Sequence, residues 1–161
     1  MVLWFAGMSF LAVWLVFRSP LVDYRLVMIG ALLPLAELPF GEPRPLHSAA
    51  VAAAVLLLAM AASPRRRLVQ RRLVAIPIGM LFHLLLDGIW TDTTAFWWPF
   101  AGVAWSDAQL PELGRGAWNL MLEVMGAGAL WWCWRRFRLY EPARRRRFLR
   151  TGHLDRDVTL I

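Results

Sequence analysis

The feature that most constrains this chain is a series of five apolar runs, separated by short stretches that hold most of its arginines. The runs extend over residues 2–17, 26–40, 48–62, 73–90 and 117–134. A hydrophobic fraction of 59% and a mean hydropathy of +0.49 exceed what an ordinary soluble domain of 161 residues carries. We therefore expect an all-α, polytopic transmembrane helical bundle of about five hydrophobic segments over residues 1–134. Residues 135–161 are expected to form an arginine-rich cytoplasmic tail.

Two of the apolar segments depart from a simple spanning helix. The second run contains Pro34 and closes at Pro39, so we expect a short helix that bends or breaks near Pro34. Broken helices at membrane depth usually line a cavity. Residues 94–105 form a further aromatic stretch, too short to span and typical of a membrane interface.

The arginines predict an orientation. All 18 basic residues are arginine, and the net charge is +7. They are clustered in loops and in the tail rather than spread over one face, which argues against nucleic-acid binding. With residues 65–72 in the cytoplasm, the N-terminus is outside, the C-terminus is cytoplasmic, and all arginines except Arg44 and Arg115 lie inside. We therefore predict a multi-pass protein of the inner or plasma membrane, with lipids and their anionic headgroups as partners of the tail at roughly 1 kcal/mol per arginine.

Ionisable side chains interrupt the apolar runs on one side of the predicted bundle. His83 and Asp87 are four residues apart and share a helix face. Glu123 has a similar predicted depth in the fifth run, and Glu37 and His47 approach from the same side, all within roughly 10 Å of the outer boundary. Such groups cost several kcal/mol in a membrane unless they have partners, so they indicate a functional site.

The residue types favour a divalent metal. Two imidazoles together with carboxylates suit zinc first, with manganese or iron also possible. The predicted ligands are His47, His83, Asp87 and Glu37. The metal is expected to activate a water molecule, with Glu37 or Glu123 as the catalytic base. The single cysteine excludes an internal disulfide and a cysteine-cluster metal site.

Other interpretations of the same residues stay open at this point. His83 and Asp87 could form a hydrogen-bonded structural pair, and Glu123 could pair only with Asn119 or with a backbone group. His47 could be an interfacial residue at a helix start, next to Ser48 as the helix N-cap. A transport relay is disfavoured, because no acidic or histidine residue continues into the inner half of the predicted bundle.

Four short segments carry a family resemblance. They are Gly30-Ala-Leu-Leu-Pro34, His47-Ser48, His83-Leu-Leu-Leu-Asp87 and Trp98-Pro99-Phe100. In order and spacing they resemble motifs of the YdjM-like family of inner-membrane proteins, which are described as metal-dependent hydrolases. The family is distantly similar to zinc-dependent phospholipases C. The resemblance implies hydrolysis of a phosphoester at a membrane surface.

One segment departs from the family pattern. The family has Asp-x-Asp after its proline, where this chain has Leu35, Ala36 and Glu37. Glu37 can replace one of these aspartates, whereas Leu35 cannot ligate a metal. We expect a membrane-embedded metal-dependent hydrolase of a lipid or lipid-linked phosphoester at the outer face, with Arg44 or Arg115 as a phosphate clamp. The alternative, favoured by Leu35, is a non-catalytic small subunit or assembly factor of a membrane protein complex.

Overall fold

The computed structural model describes residues 1–43, 45–62, 67–104 and 109–158, and its regular structure is helical. The α-helices of this part of the chain are α1 (Val2–Phe17), α2 (Tyr24–Leu32), α3 (Ala49–Ala61), α4 (Arg67–Leu73), α5 (Ala75–Asp87), α6 (Thr93–Phe96), α7 (Pro111–Gly114), α8 (Trp118–Arg136) and α9 (Pro142–Thr151). Its 3₁₀ helices are Leu33–Phe40, Pro45–His47, Ile89–Thr91 and Arg156–Val158. The all-α fold class is confirmed.

Two of the helices, α1 and α3, follow the apolar runs closely. α1 coincides with the first run, and α3 begins directly after Ser48, whose hydroxyl oxygen accepts a hydrogen bond from Ala50 N–H at 3.1 Å. The predicted break near Pro34 is confirmed, because α2 ends at Leu32 and the chain continues as a 3₁₀ helix. The aromatic stretch forms α6 and turns as far as residue 104, and Trp105 lies outside the described residues.

Close packing of α2 against α5 organises the centre of the molecule. A Cβ atom on Gly30 would overlap the backbone carbonyl of Ile76, and one on Gly79 would overlap that of Val27. The two helices approach until their backbones are in contact, which only glycine permits at these positions. α3 packs against α5 as well, and α1 contacts α2, α5 and α8.

The arginine-rich tail is part of the hydrophobic core. Phe148 of α9 is buried, and its ring lies 5.9 Å from that of Phe10 on α1. Leu154 is buried in the same cluster. After α9, the Gly152 carbonyl accepts a hydrogen bond from Tyr24 N–H at 3.0 Å, which joins the tail to the start of α2.

Ion pairs within the tail connect α9 to the residues on either side of it. Arg144 contacts three carboxylates, those of Glu141 at 2.7 Å, Asp157 at 2.8 Å and Asp155 at 3.3 Å. Arg147 also contacts Asp155, at 2.6 Å. Hydrogen bonds to Asp157 and Glu141 raise the pKa of Arg144 above its ordinary value. Some of the tail arginines therefore have a structural role.

The predicted multi-pass location in the inner or plasma membrane, N-terminus outside and C-terminus cytoplasmic, is wrong. Among the described residues, no helix combines the length and the apolar character that crossing a bilayer demands. α1 has 16 residues and α5 has 13, whereas a span needs about 20. α8 reaches 19 residues but includes Glu123, Arg135 and Arg136. The transmembrane part of the fold prediction fails for the same reason. The first helix has only 16 residues, and the second, third and fourth apolar runs contain helices shorter than the runs themselves.

Candidate metal centre

α5 places His83 and Asp87 on one buried face. The residues are four apart, so their side chains project from the same side of the helix, and both are fully buried. Gly79 lies one turn before His83 and allows α2 to approach closely. As a result, the carbonyl oxygen of Ala31 on α2 lies 2.7 Å from His83 Nδ1.

His47 reaches the same place from the short segment before α3. It ends the 3₁₀ helix Pro45–His47, and its side chain is fully buried. Ser48 anchors this segment, because its hydroxyl donates a hydrogen bond to the carbonyl of Trp98 at 2.5 Å while capping α3. The N-cap interpretation of Ser48 is confirmed.

The structure brings three of the predicted ligands together. His47, His83 and Asp87 each offer one ligand atom, and these atoms lie within 4.8 Å of one another. The two imidazole rings have centroids 5.3 Å apart and are inclined by 72°. Ligand atoms of a tetrahedral zinc ion lie about 3.4 Å apart, given a bond length of about 2.1 Å. The three atoms would therefore move closer together by up to about 1.4 Å for one ion to contact all of them.

Hydrogen bonds at Nδ1 orient both imidazoles. A carbonyl oxygen only accepts, so His83 donates its Nδ1 proton to Ala31, and the neutral ring has its lone pair on Nε2. His47 Nδ1 lies 2.7 Å from Glu37 Oε2, where a carboxylate accepts in the same way. In metal centres, such partners set the histidine tautomer and direct Nε2 toward the ion.

Glu37 contacts His47 and is not itself one of the three grouped ligand residues. Its Oε1 accepts a hydrogen bond from Leu46 N–H at 2.8 Å, while Oε2 contacts His47. The carboxylate is buried, and both of its oxygens have partners on the segment that carries His47. Glu37 therefore contacts the predicted ligand His47 through Nδ1 of its ring.

Arg115 lies beside Asp87. Its guanidinium is 3.1 Å from Asp87 Oδ1 and also donates a hydrogen bond to the Asp87 carbonyl. Asp87 and Glu37 place two carboxylates in or beside the group. Negative charge from carboxylates favours a cation at the three ligand atoms.

α1 covers the group with an aromatic ring. Phe5 stacks on His83, with ring centroids 3.9 Å apart and an interplanar angle of 25°. Phe5 is fully buried. This ring excludes water from one side of the site.

Glu123, on α8, contacts the start of α1 and is not among the three grouped ligand residues. Its carboxylate accepts a hydrogen bond from Leu3 N–H at 2.8 Å and contacts the Met1 amine at 2.8 Å. Burial raises the pKa of Glu123, but the hydrogen bonds from the amine and from Leu3 outweigh it and hold the pKa below its ordinary value. The Met1 sulfur is 3.8 Å from Arg115, so Met1 and Arg115 connect Glu123 to the site.

Comparison with family models, with curated proteins and with solved structures finds no significant match to this chain. Membership of the YdjM-like family therefore stays a prediction from the short segments quoted above. Leu35, where that family has an aspartate, packs in the hydrophobic cluster with Trp4 and Phe5. Arg44, the other predicted phosphate clamp, lies outside the described residues.

Sequence reasoning missed three contributors to the site. These are the Ala31 carbonyl, the Phe5 ring and the pairing of Arg115 with Asp87. A backbone carbonyl exists at every position and leaves no signal in the sequence. Phe5 belongs to a uniformly apolar run, so its contact with His83 depends on how α1 packs.

Proposed function

We propose that the chain binds a divalent metal through His47, His83 and Asp87 and uses it to hydrolyse a phosphoester. The observation that carries this proposal is the convergence of three buried ligand atoms within 4.8 Å. The partners at Nδ1 of both histidines support it, because they favour Nε2 as the ligand atom of each ring.

The donor set favours a transition metal over magnesium or calcium. Two imidazoles and one carboxylate form a set that binds zinc, manganese or iron(II) and leaves coordination positions for water and substrate. Hard cations such as calcium prefer six or more oxygen ligands, which this site does not offer among its described residues.

The surrounding residues have distinct roles in this proposal. A bound metal supplies Lewis acidity and lowers the pKa of a water molecule. Glu37 orients His47, so it has a positioning role in place of the base role expected from the sequence. Arg115 orients Asp87 and offers a guanidinium to the oxygens of the phosphoryl group. A base role for Glu123 stays a prediction.

Exposed apolar side chains near the site favour a substrate with an apolar part. The segment after α5 packs beside His47 through α6 and exposes Trp90, Trp97, Phe100 and Val103, the last two at 82%. Exposed apolar clusters of this kind mark binding surfaces. We therefore propose a lipid or lipid-linked phosphoester as the substrate class.

Metal content tests the binding step. Elemental analysis of purified protein is expected to give about one zinc, manganese or iron per chain. The variants His83→Gln and Asp87→Asn are expected to lose it, whereas His153→Gln, which removes an imidazole outside the site, retains it. Wild-type protein that takes up no metal on reconstitution, or full metal content in both site variants, would refute the proposal.

Hydrolysis is tested on metal-loaded protein with bis-p-nitrophenyl phosphate and a short-chain phosphatidylcholine as substrates. The proposal expects release of product that falls at least 100-fold in Asp87→Asn, in keeping with loss of a metal ligand. Metal-loaded wild-type protein without activity on either substrate would leave a metal centre and contradict the hydrolase.

An exposed apolar face favours a second candidate, a non-catalytic subunit of a protein complex. α8 exposes Trp118, Leu120, Val124 and Trp131 over its whole length, Leu120 at 72%. Native mass spectrometry after gentle purification is expected to show a stoichiometric complex that Leu120→Ser with Val124→Ser dissociates. The matched control, Leu57→Ser with Leu58→Ser on α3, is expected to retain it. A metal-replete, active, monomeric chain would contradict the subunit role.

A further inference from the structure

A basic cleft lies between α4 and α9, and it shares no residue with the metal centre. The cleft has a volume of about 610 Å³. Its lining residues come from both helices and are Arg72, Arg146, Arg147, Arg150 and Thr151. Four guanidinium groups therefore face one space large enough for a phosphorylated group.

The tail arginines divide into two sets. Arg144 is surrounded by carboxylates, and Arg147 shares Asp155 with it. For Arg72, Arg146 and Arg150, in contrast, no carboxylate within the described part of the chain is at ion-pair distance. The described carboxylates of the tail thus contact Arg144 and Arg147, whereas the other three arginines of the cleft lie beyond ion-pair distance of them.

Helix periodicity brings the cleft-lining arginines of α9 to one side of that helix. Arg146 and Arg150 are four residues apart, and Arg147 is three residues before Arg150, so all three lie along one side of α9. Arg72 faces them from α4. Like charges on facing helices repel, and an anion bound between them removes that repulsion.

The positive charges of the cleft also affect His153, which follows α9. The pKa of His153 is lowered, first by burial and then by the charges of Arg72, Arg147 and Arg25, against the opposing effect of Asp23. Positive potential therefore extends over the segment that follows α9, consistent with the geometry of the cleft.

We propose that this cleft binds a phosphate group of an anionic ligand. Guanidinium groups present paired N–H donors that match two phosphate oxygens, and several of them in one cleft recognise a multiply charged phosphate better than a single charge. The phosphate belongs either to a free compound or to a lipid headgroup, and the same side chains bind both.

Titration calorimetry at low ionic strength tests the cleft with inorganic pyrophosphate. Wild-type protein is expected to bind one pyrophosphate per chain, more weakly as salt is raised. The triple variant Arg72→Gln, Arg146→Gln, Arg150→Gln is expected to bind at least 10-fold more weakly. Circular dichroism establishes that this variant is folded.

A control variant separates the cleft from net charge. Arg18→Gln, Arg135→Gln, Arg145→Gln removes the same charge from exposed arginines that do not line the cleft. It is expected to retain affinity within about twofold of wild type. Equal loss in both triple variants would overturn the proposal.

Vesicles of phosphatidylcholine, with and without one-fifth phosphatidic acid, distinguish the two sources of phosphate. Flotation with the phosphatidic acid vesicles that is lost in the cleft variant identifies a lipid headgroup. Pyrophosphate binding without flotation identifies a free phosphate compound. Wild-type protein that binds neither probe would refute the site.

Discussion

Glu37 shows at the scale of single residues how a carboxylate is placed by its neighbours. The sequence offers it as a ligand or a base, but the Leu46 amide and the His47 ring engage its two oxygens. Residue type and spacing predicted the right group of residues here. They could not distinguish the residues that ligate a metal from a residue that contacts one of those ligands.

A substitution of Glu37 tests its positioning role. Glu37→Gln preserves the shape of the side chain but removes the charge that favours Nδ1–H on His47. Loss of such a partner typically weakens metal binding about 10- to 100-fold. A competition titration with a zinc chelator measures this change, with Glu42→Gln as the control for a lost carboxylate nearby. Unchanged affinity in Glu37→Gln would contradict the role.

Cys133 is a second residue whose chemistry follows from its surroundings. It is fully buried on α8, and burial raises its pKa from 9.0 to about 12. The native thiol is therefore protonated at pH 8.5, and the thiolate is the reactive form. As pH rises above about 9, the unfolded thiol ionises before the native one, so this group makes the native state less stable.

Alkylation kinetics test this environment. At pH 8.5, iodoacetamide is expected to modify Cys133 roughly 100-fold or more slowly in native protein than in protein unfolded in guanidinium chloride. Mass spectrometry of the intact chain measures both rates. Equal rates would show that the side chain is accessible in the native state.

At the scale of helices, the approach of α2 to α5 determines whether the site exists. Gly30 and Gly79 let the two backbones touch, and the Ala31 carbonyl thereby reaches His83. Isolated glycines in apolar runs indicate a packing role only after the partner helix is known. The α2–α5 contact could therefore not be predicted from either run alone.

A methyl group at Gly79 is expected to separate these helices. Gly79→Ala should destabilise the fold by about 1–3 kcal/mol, in spite of the higher helix propensity of alanine, because the Cβ overlaps backbone atoms of α2. It should also weaken metal binding, because His83 loses its Ala31 partner. Chemical denaturation and the chelator titration measure the two effects.

Gly128→Ala on α8 is the matched control. Nothing lies within 4 Å of a Cβ atom at this position. Alanine is therefore expected to be neutral or to stabilise the helix by up to about 1 kcal/mol. Destabilisation of both variants to the same extent would contradict the packing argument for Gly79.

At the scale of the whole molecule, the tail and the helical region share one hydrophobic cluster. The sequence predicted a boundary at residue 135, where apolar residues give way to arginines. In the structure Phe137, Leu139, Phe148 and Leu154 are buried with residues of α1 and α2. Sparse apolar residues within a charged segment are a weak signal, because their partners are distant in sequence.

Truncation of Phe148 tests whether the tail unfolds with the rest. Phe148→Ala is expected to lower the free energy of unfolding of the whole chain by about 3–5 kcal/mol, since the ring is buried against Phe10. Leu149→Ala, at a position 62% exposed, is the control and should change it by less than about 1 kcal/mol. Thermal unfolding followed by circular dichroism measures both. An unchanged transition in Phe148→Ala would show that the tail is independent.

Local properties of the sequence determined the helical class, the extent of α1, the cap at Ser48 and the break near Pro34, because each depends on residues within one or two turns. The four-residue spacing on α5 likewise predicted that His83 and Asp87 share a helix face. Only the tertiary structure decided that His47 joins them, that Glu37 contacts His47 and that Glu123, on α8, contacts the start of α1. It also overturned the membrane prediction, because the length of a helix depends on where its backbone hydrogen bonds end, whereas an apolar run continues through prolines, 3₁₀ turns and loops.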